Sequence, residues 1–167
     1  MTTKYRPGAK GALLDEYDRA IKDLQKVISE ISPEELTILV DRQTTDENCR
    51  TIQTILSHVV SSGYGYAIYI LNRKGDNKKR PDKIFHLNVA NYLQDLNAMF
   101  LFTEGVFENV SENELEQIND SVKIKVPWNQ LYDIEQLMEH AIVHILRHRR
   151  QIEKFKIILQ ELQSNNH

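Results

Sequence analysis

Residues 133–162, DIEQLMEHAIVHILRHRRQIEKFKIILQEL, decide the fold. Asp133 followed three residues later by Gln136 is a capping-box pattern, and apolar residues then recur at helical period as Ile134, Leu137, Ala141, Ile145, Ile152, Phe155 and Leu159. The stretch is predicted to be one long amphipathic helix, and such a helix needs partners to bury its stripe. The rest of the chain supplies them. Between Leu13 and Ile31, the residues Leu13, Tyr17, Ala20, Leu24, Val27 and Ile31 are spaced three and four apart, and the residue before Pro33 ends the run. A second long helix is expected from about Glu47 to Asn72, with Ile52, Ile55, Leu56, Val59, Tyr66 and Ile70 on one side. A third, from about Leu87 to Val110, carries Val89, Leu93, Leu96, Phe100, Thr103, Phe107 and Val110.

The connections read differently. Pro33 to Val40 allows a short turn of helix, and Arg73 to Lys83, RKGDNKKRPDK, has no apolar member and is expected to be an exposed, solvated loop. Ser111 to Ile118 can add a helical turn, while Val122, Ile124 and Val126 alternate with Lys123 and Lys125 as a short extended piece before Pro127. That segment has the character of a long crossover connection. Four long amphipathic helices in 167 residues define an all-α, four-helix bundle, read as a single domain over residues 1–167 with a frayed tail from Gln163 to His167.

Composition bounds the function. A chain that is 41% hydrophobic and 27% charged can bury a real core, which excludes a disordered protein. Twenty-one Lys and Arg against 24 Asp and Glu leave a net charge of −3, so no global basic field draws it to nucleic acid. Its one cysteine, Cys49, excludes an intramolecular disulfide and fits a reducing compartment. The opening MTTKYRPGAKGALL has no apolar stretch of signal-peptide length, and no run approaches the ~18 apolar residues of a membrane span, so a cytoplasmic location without a membrane partner is expected.

Three of the six histidines, His140, His144 and His148, are spaced four apart on the last helix. Four residues turn a helix by only about 40°, so neighbouring pairs face the same way, and a His-x-x-x-His pair is a recurrent half-site for zinc and other borderline metals. The centre of the apolar face lies about 10° from His148, about 50° from His144 and about 90° from His140. His144 and His148 should therefore point inward, with His140 on the boundary. A third ligand must come from another helix, and His58 and His86 are the candidates. His58 shares its direction with Thr51, Ser62, Gly65 and Tyr69, small or hydroxylated side chains that leave space beside a ligand, whereas His86 adjoins the charged loop and ranks behind it. The competing explanation is a set of satisfied core histidines.

Taken together, TIQTILSHVV around His58 and LMEHAIVHILRHRRQI with His144, His148 and Gln151 resemble the DinB-like and YfiT-like metal-binding bundles. In that family a histidine of the second helix and a His-x-x-x-His pair of the fourth hold a divalent metal. Here Arg149 stands where the family's His-Arg-Gly-Gln-Ile stretch has glycine. The resemblance implies an up-down-down-up bundle with a long crossover, a metal site of His58, His144 and His148 completed by water, and often a homodimer. It further implies a metal-dependent hydrolase, or a transferase acting with low-molecular-weight thiols.

A metal on three histidines, with zinc or nickel placed first, lowers the pKa of a bound water toward ~7 or holds a thiol as thiolate, so hydrolysis and thiol transfer on a small-molecule substrate both stay open. Gln151, one turn beyond His148, can orient an imidazole or a water, Tyr69 can offer a hydroxyl, and Arg147 can meet an anionic group. No Asp or Glu falls on the His144 and His148 face, which keeps a non-catalytic metal- or ligand-binding module in play. Cys49, nine residues before His58, is expected on the opposite side of a continuous helix, giving no Cys-His dyad. Ile142, Val143, Leu146 and Ile157 lie on the nominally outer face of the last helix, which points to a homodimer or to cover by the crossover segment.

Overall fold

Helix α1 (Gly8–Ile28) begins earlier than the apolar period alone suggests, because Pro7 provides an extended cap and Gly8 takes a φ of 75°. The start is pinned by Arg6, whose backbone N–H donates to Asp15 at 2.9 Å and whose guanidinium bridges Asp15 (2.5 Å) and Glu104 (2.6 Å). After α1 comes the short α2 (Pro33–Thr37), opened by a reciprocal capping box between Ser32 and Glu35. The second long helix, α3 (Ile52–Asn72), starts later than the expected Glu47. Thr51 and Thr54 form a capping box there, and residues Glu47–Cys49 make a separate 3-10 turn capped by Asp46. Thr51 is thus the cap of the helix and no member of a helical stripe with His58.

Helix α4 (Val89–Glu108) is capped by Asn88, and α5 (Ile134–Ser164) by the predicted Asp133–Gln136 box. The computed structural model describes residues 5–165, so α5 continues through the first part of the expected frayed tail, and Asn166 and His167 lie outside the described residues.

Side-chain pairings fix the directions of the four long helices. Arg6 meets Glu104 and Gln25 meets Leu93 and Asn97, so α1 and α4 are antiparallel. Asp23 meets Arg149 and the Val27 carbonyl meets Lys156, so α1 and α5 rise together. Ser57 meets Tyr92 while Tyr64 packs on Phe102, so α3 and α4 descend together. The arrangement is an up-down-down-up bundle in which α5 touches α1 and α3, and α4 touches the same two from the other side.

Large buried side chains fill the interior, among them Tyr17, Leu24, Ile28, Leu56, Tyr92, Leu96 and Phe107, each fully buried aliphatic side chain contributing about 1.5–3 kcal/mol. On α3, Gly63 faces the Met99 thioether and the Tyr17 hydroxyl, so a side chain there has no room.

Because α4 and α5 are diagonal, the chain between them must cross the bundle end, as the sequence suggests. Its first part is anchored by Glu114, which accepts from the Ser111 backbone (2.8 Å) and pairs with Arg73 (2.9 Å) and Lys74 (3.1 Å) at the end of α3. The Ser111 hydrogen bonds lead in holding the Glu114 carboxyl far below the usual range. The Leu115 carbonyl accepts from Ile134 and Glu135, satisfying orphan N–H groups of α5. The extended piece is a small antiparallel hairpin of β1 (Ile124–Lys125) and β2 (Leu131–Tyr132), turned at Asn129 with φ 64°. Among the described residues no helix is long and apolar enough to cross a membrane.

Candidate metal centre

The capping of α5 at Asp133 sets the rotation of that helix, and with it the histidine row. His148 is the most buried, at 3% exposure, while His144 and His140 are both half-buried. Antiparallel α3 brings His58 opposite them. The three rings of His58, His144 and His148 lie with centroids 4.5–5.1 Å apart, and one nitrogen from each falls within 4.8 Å of the others. This trio can hold a metal ion.

Several observations test the fit. The Nε2 atoms of His58 and His144 are 3.0 Å apart, near the roughly 3.3 Å between nitrogens on a tetrahedral ion with 2.0–2.1 Å bonds. His144 Nδ1 is buried with no hydrogen-bond partner. Two neutral imidazoles sharing one such contact always leave a ring nitrogen of His144 unmatched, as donor or as acceptor, which is poor design for a purely structural pair. The third ring is set from outside. Gln151 Oε1 lies 3.0 Å from His148 Nδ1, so with Nδ1–H donating, the Nε2 lone pair is free to ligate.

The electrostatics suit metal binding too. Burial, reinforced by His148 and Lys83, pushes His58 down to about 4. Burial and the neighbouring histidines push His144 lower still, and burial also depresses His148 despite the Gln151 contact. All three rings are therefore neutral near pH 7, the form that offers lone pairs.

His140 joins a different group. Its ring stacks on Trp128 with centroids 5.3 Å apart and planes at 23°, and its Nδ1 is 3.4 Å from the Tyr132 hydroxyl. His86 is withdrawn altogether, 2.6 Å from Asp95 and edge-on to Tyr92. Of the other expected site residues, Ser62 and Tyr69 line a cavity of about 360 Å³ next to His58, and Arg147 is exposed beside the trio. Arg149, in the place of a glycine, turns toward α1 and reaches Asp23 at 3.4 Å.

Four residues at the site were not anticipated. Cys49 is one, because the expected continuous helix from Glu47 does not exist. Its thiol donates to Asp46 Oδ2 at 3.4 Å and lies within reach of Gln151, on the histidine side. Burial and Asp46 raise its pKa against the opposing Gln151 and Arg147, so it is a protonated thiol. Asp46, the second, brings a carboxylate charge that acts on His58 and His148, although its oxygens already accept from Asn48 and Cys49. The Thr51-x-x-Thr54 cap and the Asp46-x-Asn48 turn were the signals for both. Trp128, carried at the hairpin tip, covers His140. Arg80 belongs to the loop that is exposed as expected, yet its stem passes over Gly65 and its side chain lines the cavity. The crossover thus sets Pro127 and Trp128 against this cavity and does not cover the outer face of α5, where Val143 is 60% and Ile157 56% exposed.

A family model for the DinB family matches residues 1–155, nearly the whole bundle. The chain belongs to the DinB family. No curated protein matches it.

Proposed function

We propose that the chain is a divalent-metal protein acting on a small molecule, with His58, His144 and His148 as its ligands. The observation that carries this reading is the convergence of three neutral imidazoles from two helices beside an open cavity. Zinc or nickel held there supplies Lewis acidity for attack by water or by a thiol, the chemistry of a hydrolase or a thiol transferase.

The chain's own residues prepare that chemistry. Gln151 fixes the tautomer and orientation of His148. Burial keeps the ligand rings neutral. Tyr66, edge-on to His144 at 5.6 Å, and the Trp128–His140 stack exclude water from one side. Arg147 places positive charge at the opposite rim, where it acts on His144, His148 and Cys49.

A second reading, a non-catalytic binding module, is favoured by one feature: the nearby Asp46 has its oxygens engaged and is poorly placed to accept a substrate proton. The two separate on a panel of esters, amides and thiol-plus-electrophile pairs assayed with metal-loaded protein. Metal-dependent turnover on any member supports the enzyme; a metal that raises only the melting temperature leaves the module.

For the assembled state we propose a homodimer through the exposed Val143 and Ile157 on α5, of which Val143 lines a groove with Ala9, Ala12 and Ile142. Light scattering should give a dimer that V143E/I157E converts to monomer. A monomeric parent chain excludes it.

A further inference from the structure

The cavity beside His58 has walls of aromatic rings and one cation, and the metal centre needs neither. Trp128 stands edge-on to Tyr66 and Tyr69, each at 6.4 Å, besides its stack on His140. The indole is held in advance, since its Nε1–H donates to Gln130 Oε1 at 3.0 Å, and that same oxygen accepts from the Tyr132 hydroxyl at 2.5 Å. The hairpin that carries it is closed by the Asn129 N–H donating to the Val126 carbonyl at 2.9 Å.

Arg80 supplies the cation. A Cβ on Gly65 would stand 3.1 Å from Arg80 Cδ, so the missing side chain gives the arginine stem its path across α3. Among the described residues no carboxylate lies within ion-pair distance of Arg80. No acidic residue lines the cavity, whose volume of about 360 Å³ is that of a small-molecule site. Flat walls select a flat body, and an unpaired guanidinium selects an anion.

We propose that this cavity is the substrate subsite and takes a small organic anion with a flat apolar body. Its anionic group lies at Arg80, its body against Trp128 and Tyr69, and its far end toward His58. The inference rests on the metal reading for the reactive end, while Arg80 and Trp128 stand apart from the ligand trio.

Trp128 is the only tryptophan, so its fluorescence reports occupancy directly. The test titrates the full chain, zinc-loaded and zinc-free, with benzoate, benzamide and acetate, in the parent protein and in R80Q. Benzoate should give a saturable change, with benzamide and acetate weaker by about tenfold or more; R80Q should lose about tenfold for benzoate and leave benzamide unmoved. Equal benzoate affinity in R80Q, benzamide binding as tightly as benzoate, or no saturable change with any probe up to ~10 mM overturns the subsite. Elemental assay of the same samples keeps the two readings apart. Stoichiometric zinc with a silent or Arg80-independent cavity sinks the subsite alone, whereas absent zinc sinks the metal centre and leaves the Arg80 contrast to be read on the zinc-free chain.

Discussion

Replacing His144 by leucine should move the stability of the metal-free and the metal-loaded protein in opposite directions. In the metal-free chain His144 has a buried Nδ1 with no partner, while its Nε2 shares a hydrogen bond with His58 Nε2 at 3.0 Å, and His58 borders the open cavity where water can replace that bond. A buried polar group left unsatisfied costs about 1–3 kcal/mol, and leucine removes that group while keeping most of the packing against the His58, Tyr66 and His148 rings. H144L should therefore be more stable than the parent in chelator by about 1 kcal/mol or more, which is about 2–4 °C in melting temperature for a chain of this size. Metal reverses the order. A ligand present at 100 times its Kd stabilises the native state by about 2.7 kcal/mol, and H144L forfeits most of that. The assay is a pair of thermal melts for each protein, one in chelator and one in excess zinc. If H144L melts lower than the parent in chelator, and zinc raises both equally, the histidines are packed core residues and the reasoning from the unmatched nitrogen fails.

Acid should destabilise the metal-free chain through the same cluster. The folded pKa values of His58, His144 and His148 are depressed, so below the ordinary imidazole value of about 6.5 the unfolded chain binds protons that the native chain refuses. Stability is fully present above that value and falls as pH drops toward the His58 value of about 4; urea midpoints across that window should decline less steeply in H144L. Q151L removes the acceptor on His148 Nδ1 and should weaken zinc binding by about 10- to 100-fold in a competition titration, with little change in helicity. G63A should destabilise by about 1–3 kcal/mol despite its better helix propensity, because the new methyl falls onto the Met99 sulfur and comes within 2.9 Å of the Tyr17 hydroxyl; a midpoint equal to or above the parent's in denaturant melts would contradict this.

What could be read from residues alone follows the physics of each signal. The Asp133–Gln136 box and the apolar period of α5 are local, and they place the helix and the inward turn of His144 and His148 correctly. His58 against His86 was legible for a similar reason, since the small residues Ser62 and Gly65 share its face and line the cavity. The start of α3 was misread because the Glu47–Cys49 turn directly precedes the helix with no Gly or Pro between them, while the Thr51–Thr54 cap that decides the boundary is a weaker pattern. That single error moved Cys49 to the wrong side and left Asp46 out of the site. Trp128 and Arg80 reach the site through loops whose path depends on contacts distant in sequence, the Tyr66 and Tyr69 rings for one and the vacancy over Gly65 for the other. Periodicity carries no information about such paths.

The site's division of labour follows from the same distinction. Its nitrogen cluster is built on α3 and α5 alone, two antiparallel helices whose relative register is locked by core contacts along their length, so the spacing of the three rings is as rigid as the bundle itself. The proposed small-molecule cavity takes Tyr66 and Tyr69 from α3, but it is completed by the hairpin tip at Trp128 and the loop at Arg80, which a change of sequence can alter without disturbing a core residue. An ion held between α3 and α5 adds a cross-link to the one helix pair that carries the whole trio. Metal affinity should then depend on bundle packing, and substrate preference on the two loops. Substitutions at Trp128 should be nearly additive with those at His148 and Gln151, with which it shares no hydrogen-bond partner, whereas Arg80, whose charge acts on His58 across the same cavity, should couple to the metal centre.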